Sequence, residues 1–214
     1  MNLKKQPFLS LTFLILANLF SLTGVLLFEW TAFDLIALFC AETVVVGFYN
    51  VIKMRNASDA DKATLWRFNA IPLFLTTYIL LILSQISFFL VFTHLYINRR
   101  EELQILEYNE NVWNFFINLN FFIALSLLFL SHGVSYWFNY VLRKEYEKIT
   151  VGRLVFLPFR RTIKHQTIVI LGGLYLGVIQ ASNWILILLV LTKIIFDSKA
   201  HINEHKIYEI EDKK

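Results

Sequence analysis

Lys193, Asp197, His201 and His205 stand at steps of four near the C-terminal end of the chain. Wound as a helix, they fall on one slowly drifting face. A carboxylate and two imidazoles in the pattern Asp-x3-His-x3-His can bind a divalent metal through adjacent members. Asp197 and His205 would be two turns, roughly 11 Å, apart, so the three do not easily share one ion. A site on Asp197/His201 or on His201/His205 needs ligands from elsewhere, and His165, His132 and Glu42 are the candidates. Three nitrogen or oxygen ligands with an open position suit hydrolytic zinc or another divalent metal. Bound water would lose a proton there, with Glu42 as general base. The sequence contains no nucleotide-binding glycine loop, serine-hydrolase elbow or cysteine-pair zinc motif.

These residues sit in an apolar chain. Of 214 residues, 57% are hydrophobic and 17% charged, against about 45–50% and about 25% in soluble domains. Apolar runs at 8–28, 32–54, 72–97, 112–142, 162–180 and from 184 onward predict an all-α polytopic membrane protein of six transmembrane helices. The first run follows Lys4 and Lys5 as a signal peptide would. It is longer than a signal peptide's apolar core and lacks a small-x-small cleavage site, so it reads as a retained span. Pro72 suits the first turn of the third helix. Gly172, Gly173 and Gly177 permit close contact of the fifth with a neighbour. Residues 98–111 form an acidic segment with the spacing of a short surface helix. Residues 145–164 form a basic segment, expected as a loop on the membrane surface. The single Cys40 excludes a disulfide framework. No linker is long enough to divide the chain, so residues 1–214 are expected to form one membrane domain.

Lysine and arginine fix the expected orientation. Eighteen of the twenty lie at the N-terminus, in the second-to-third and fourth-to-fifth connections, or in the last helix and tail. Both termini are therefore expected in the cytoplasm, the membrane being the cytoplasmic (inner) one. The formal charge of +4 follows from topology and anionic headgroups rather than from nucleic acid. Membrane lipid is the expected partner, with self-association into a homo-oligomer allowed.

Counted from the cytoplasmic ends, Glu42 and His132 each lie eleven residues in, roughly 16 Å deep, or about half the hydrocarbon thickness. Lys193 is at similar depth. Asp197 and His201 sit nearer the cytoplasm, and His165 is at the mouth of the fifth span. Asn50, Ser135 and Asn139 add polarity on the same side. Such a distribution predicts a polar cavity opening to the cytoplasm, because ionisable groups in a bilayer face partners or water. Each group also has a plainer role. Glu42 and Lys193 can be a buried ion pair fixing helix register, His132 a neutral hydrogen-bonded imidazole, and His205 a solvated tail residue; Asp197 can pair with Lys193 or cap a neighbouring basic loop carrying Arg160, Arg161 and Lys164.

Three stretches carry a resemblance. Ala41-Glu42-Thr-Val-Val-Val-Gly47-Phe48-Tyr-Asn50-Val51-Ile-Lys53-Met54 is one. Pro158-Phe159-Arg160-Arg161 with His165-x-Thr167-Ile168 and Gly172-Gly173 is the second. Asp197-x3-His201-x2-Glu204-His205 is the third. In this order they resemble an uncharacterised family of small prokaryotic multi-span membrane proteins known only as a domain of unknown function. The resemblance implies a helical bundle in a prokaryotic membrane and no activity. A fainter likeness is to the intramembrane metal hydrolases that include alkaline ceramidases and progestin-type receptors. Glu42, Ser131, His132, Asp197, His201 and His205 are the matching residue types. That group has seven spans, and Val46 stands where a serine is expected. The leading expectation is thus a metal-binding hydrolase acting on a lipid-like substrate. The alternatives are a small proton-coupled transporter, in which Glu42, Lys193 and the histidines relay charge, and a non-catalytic scaffold subunit.

Overall fold

The computed structural model describes residues 6–28, 30–57, 63–99, 118–179 and 183–211. Within them the chain is helical, with no strand. The helices are α1 (Gln6–Leu27), α2 (Ala32–Asn56), α3 (Ala63–Arg99), α4 (Leu119–Ser135), α5 (Val151–Ile179) and α6 (Asn183–Glu211). A π-helical stretch, Tyr136–Val141, continues α4, and a 3-10 turn, Glu145–Glu147, leads to α5. Leu9–Leu27, Phe33–Asn56, Asn69–Val91 and Leu119–Val141 are long and apolar enough to cross a membrane. Leu16, Leu80, Leu130, Phe156 and Leu188 are each more than half exposed. Long apolar helices with apolar outward faces point to a membrane-embedded protein.

Local chemistry sets the ends of several helices. Thr31 and Asp34 form a reciprocal capping box at the start of α2. The Asp34 carboxylate accepts from the Thr31 amide at 2.7 Å, and Thr31 Oγ1 accepts from the Asp34 amide at 3.5 Å. Lys53 and Arg55 occupy its last turn, where the helix dipole favours cations. Asn118 caps α4 by accepting from the Asn120 amide at 2.9 Å. The α1–α2 turn closes on Gly24, whose carbonyl accepts from the amides of Phe28 and Trp30 at 3.1 and 3.0 Å. A Cβ at Gly24 would stand 2.4 Å from the Trp30 ring, so the close approach requires glycine.

The helices close a ring in which α1 lies between α4 and α6, and α3 between α2 and α5. Contact between α2 and α5 crosses the ring. Two apolar clusters fill it. One holds Ala17, Trp30, Leu35, Leu38, Leu128, Val169 and Val190. The other holds Met54, Phe74, Tyr78, Tyr140 and Leu154. Along α2, α5 and α6 the buried polar residues lie between these clusters or next to one of them.

Two sequence expectations are corrected. Residues 151–164 are not a surface loop but the first half of α5. Leu154 and Val155 are buried against Met54, Tyr78 and Tyr140. Helical spacing of these apolar residues outweighs Pro158, the eighth residue of the helix, and the Leu154 carbonyl that loses its partner there accepts from Asn50 Nδ2 at 2.9 Å instead. Pro72 is not in a first turn either: α3 begins at Ala63. Pro72 lies on the exposed face of α3, away from buried Phe74 and Tyr78, so its missing amide leaves the packed side undisturbed. The acidic segment, from residue 100, and the start of the fourth helix at 112 lie outside the described residues.

Candidate functional site

Three residues four apart on α6 and two on α5 aim inward. Asp197 is fully buried, and its two oxygens are divided among four groups. Oδ2 lies 2.7 Å from Lys193 Nζ and accepts from Asn18 Nδ2 at 3.2 Å. Oδ1 is 2.6 Å from His165 Nε2 and 3.3 Å from Arg161 Nη2. A carboxylate only accepts, so His165 donates through Nε2. Glu42, on α2, is fully buried as well. Its Oε2 is 2.6 Å from Lys193 Nζ, and its Oε1 accepts from Arg161 Nη2 at 2.9 Å. Lys193 also donates to Asn18 Oδ1 and lies 5.3 Å from the Phe39 ring centroid.

Two carboxylates, Lys193 and Arg161 make this cluster formally neutral while joining α1, α2, α5 and α6. Removing a charge from water costs several kcal/mol even after relaxation, and only dense pairing of this kind offsets it. The expected Glu42–Lys193 pairing is therefore present, as part of a larger group.

The other expected site residues divide between this network and its surroundings. His132 Nε2 is 3.6 Å from Glu42 Oε1, beyond hydrogen-bonding distance. His201 does not join Asp197. Its Nε2 is 2.9 Å from Ser10 Oγ, which in turn accepts from Asn139 Nδ2 at 2.8 Å. Asn139 also reaches Ser135 Oγ at 3.3 Å. Asn50 donates to the Leu154 carbonyl at 2.9 Å, tying α2 to α5. The His205 side chain lies outside the described residues. Sequence reasoning offered Arg161 only as one of three cations of a basic loop beside Asp197, and it missed Asn18 and Ser10. Arg161 precedes His165 by four residues, the same interval as from Lys193 to Asp197, and that spacing was the available signal.

A cavity of about 350 Å³ opens beside the network. All helices but α3 contribute, including Ser10 of α1, Lys53 of α2, Ser131 and His132 of α4, Arg161 of α5 and His201 of α6. Lys53 pairs with Glu204 at 2.7 Å across one wall. Arg160 and Lys164 stand exposed at its edge. Arg161 belongs both to this wall and to the ion network, and His132 lines the wall 3.6 Å from Glu42.

The metal reading can be tested against these distances. Glu42, His165 and Asp197 offer ligand atoms within 4.8 Å of one another. Yet both carboxylates already hold Lys193 and Arg161 at 2.6–3.3 Å. A divalent ion would add two positive charges to a balanced group and would have to displace two tethered cations. With the side chains as placed, a metal at this group would require the contacts of Lys193 and Arg161 to break. Glu42, fully buried between two cations, is likewise poorly placed as a general base for water.

A model of a family of unknown function (DUF6498) matches residues 1–213. All three blocks of the expected resemblance fall inside that match. No curated protein and no solved structure matches the chain.

Proposed function

The chain belongs to this family of unknown function, and from its geometry we propose that it is a small membrane carrier. In this reading six helices cross a prokaryotic cytoplasmic membrane as one domain with both termini inside. The four apolar helices and the distribution of lysine and arginine support it. The cavity edge at Lys53, Arg160, Lys164 and Glu204 then faces the cytoplasm, and the apolar cluster around Leu35, Leu128 and Val190 closes the opposite half.

One observation carries the proposal: Arg161 lines the cavity while holding Glu42 at 2.9 Å and Asp197 at 3.3 Å. A ligand that engages Arg161 weakens its hold on both carboxylates and so loosens the joint between α2, α5 and α6. A carboxylate released in this way inside low dielectric takes up a proton, which makes the carrier proton-coupled. The scaffold reading assigns no role to a cavity that shares its wall with the network.

Labelling of cavity cysteines tests the carrier without knowledge of the ligand. In a Cys40→Ser background, Ser135→Cys places one thiol on the cavity wall. A carrier exposes it to impermeant maleimide from the cytoplasmic face and, more slowly, from the outer face. Labelling from the inner face alone, in every condition tried, would remove the carrier reading. The hydrolase alternative retains one supporting feature, the 4.8 Å grouping of Glu42, His165 and Asp197. Stoichiometric zinc in the purified full chain, lost in His165→Ala, would restore it.

A further inference from the structure

Several polar groups of the cavity wall have no hydrogen-bond partner among the described residues. Ser131, 2% exposed, leaves Oγ unpaired, and His132 Nε2 and Arg161 Nε are unpaired too. Arg160 and Lys164, at the edge, have no ion-pair partner among the described residues. The acids nearby are committed: Glu204 to Lys53, and Glu42 and Asp197 to Lys193 and Arg161. Hydroxyl, guanidinium and ammonium groups donate, and imidazole donates in one tautomer. The cavity therefore presents unused donors and two unbalanced positive charges, with no uncommitted carboxylate. A cation finds no partner among these unpaired groups. An acceptor-rich anion satisfies every one of these groups.

We propose that the cavity binds a phosphate-type anion, met at the edge by Arg160 and Lys164 and at the floor by Ser131 and Arg161. The volume of about 350 Å³ is at the low end of small-molecule sites, about 300–1,000 Å³, and so admits a phosphomonoester as well as the bare ion. The same chemistry suits a soluble phosphate compound and an anionic lipid headgroup. This inference rests on the cavity being the ligand site of the proposed carrier.

The test uses the purified full chain in phosphatidylcholine nanodiscs. Inorganic phosphate is titrated calorimetrically, and nanodiscs containing phosphatidic acid are compared by thermal midpoint. Binding of phosphate identifies a soluble anion; a higher midpoint with phosphatidic acid alone identifies a headgroup. Either result supports the proposal if Arg160→Gln and Lys164→Gln each weaken the effect on the order of tenfold. Lys199→Gln, an exposed position on α6 outside the cavity, should leave it unchanged. Absence of both effects, or equal weakening by Lys199→Gln, overturns the anion site. Anion binding without outer-face labelling of Ser135→Cys would instead retain the site and discard the carrier.

Discussion

Replacing Lys193 by methionine probes the network at its centre. Lys193 Nζ lies 2.6 Å from Glu42 and 2.7 Å from Asp197, so the change leaves two buried carboxylates to share Arg161. Breaking a buried pair from one side costs about 3–5 kcal/mol, because the remaining charge stays desolvated. For a chain of this length about 1 kcal/mol moves the melting midpoint by about 2–4 °C. A loss on the order of 10 °C is expected for Lys193→Met. Glu42→Gln alone removes one anion and leaves a surplus cation, with a loss of similar size. In the double variant the network regains neutrality through Asp197 and Arg161. Its loss should then fall short of the sum of the singles by at least about 1–3 kcal/mol. Intrinsic tryptophan fluorescence during thermal unfolding in detergent reports all three. Additive losses, or an unaffected Lys193→Met, would refute the idea that these residues form one charge-balanced unit.

Other outcomes follow from particular contacts. Gly47→Ala should destabilise by about 1–3 kcal/mol, since its Cβ would come within 2.5 Å of the Tyr78 ring; an unchanged midpoint would contradict that packing. Tyr78→Phe should cost about 1–2 kcal/mol, because its hydroxyl donates to the Thr43 carbonyl at 3.0 Å and lies 3.1 Å from Thr162 Oγ1 in a buried place. Thermal unfolding reports it, and loss of the same amount in a Thr162→Ala background would argue against the shared bond. Lys144 has φ 54°, so Lys144→Gly should stabilise, or at worst leave stability unaltered, by up to about 1 kcal/mol; chemical denaturation midpoints decide.

Much of the bundle could be read from apolar runs, because burial in lipid demands long helices and little else. Glu42, Lys193 and Asp197 were recognisable because charges in such runs require partners at matched depth. Arg161 was not. It follows Pro158 and adjoins Arg160 and Lys164, a composition that reads as a solvated basic loop, and only its four-residue offset to His165 betrays a helix face. Asn18 and Ser10 were overlooked because single small polar residues are ordinary in spans, and only tertiary packing brings them to Asp197 and His201. The metal expectation rests on spacing along one helix, whereas the grouping that forms joins Glu42, His165 and Asp197 from three helices. Spacing within one helix cannot reveal that a lysine and an arginine reach the carboxylates first.

The π-helical stretch Tyr136–Val141 gives the bundle a mechanical property. Its wider winding, with the Leu142 amide donating to the Trp137 carbonyl at 3.0 Å, lets neighbours Asn139 and Tyr140 both turn inward. Asn139 grips Ser10 of α1, and Tyr140 donates to the Lys53 carbonyl of α2 at 2.7 Å. Rewinding to ordinary pitch would turn both side chains away from their present partners and release both neighbours at once. Three segments are buttoned together by a single pair of adjacent side chains.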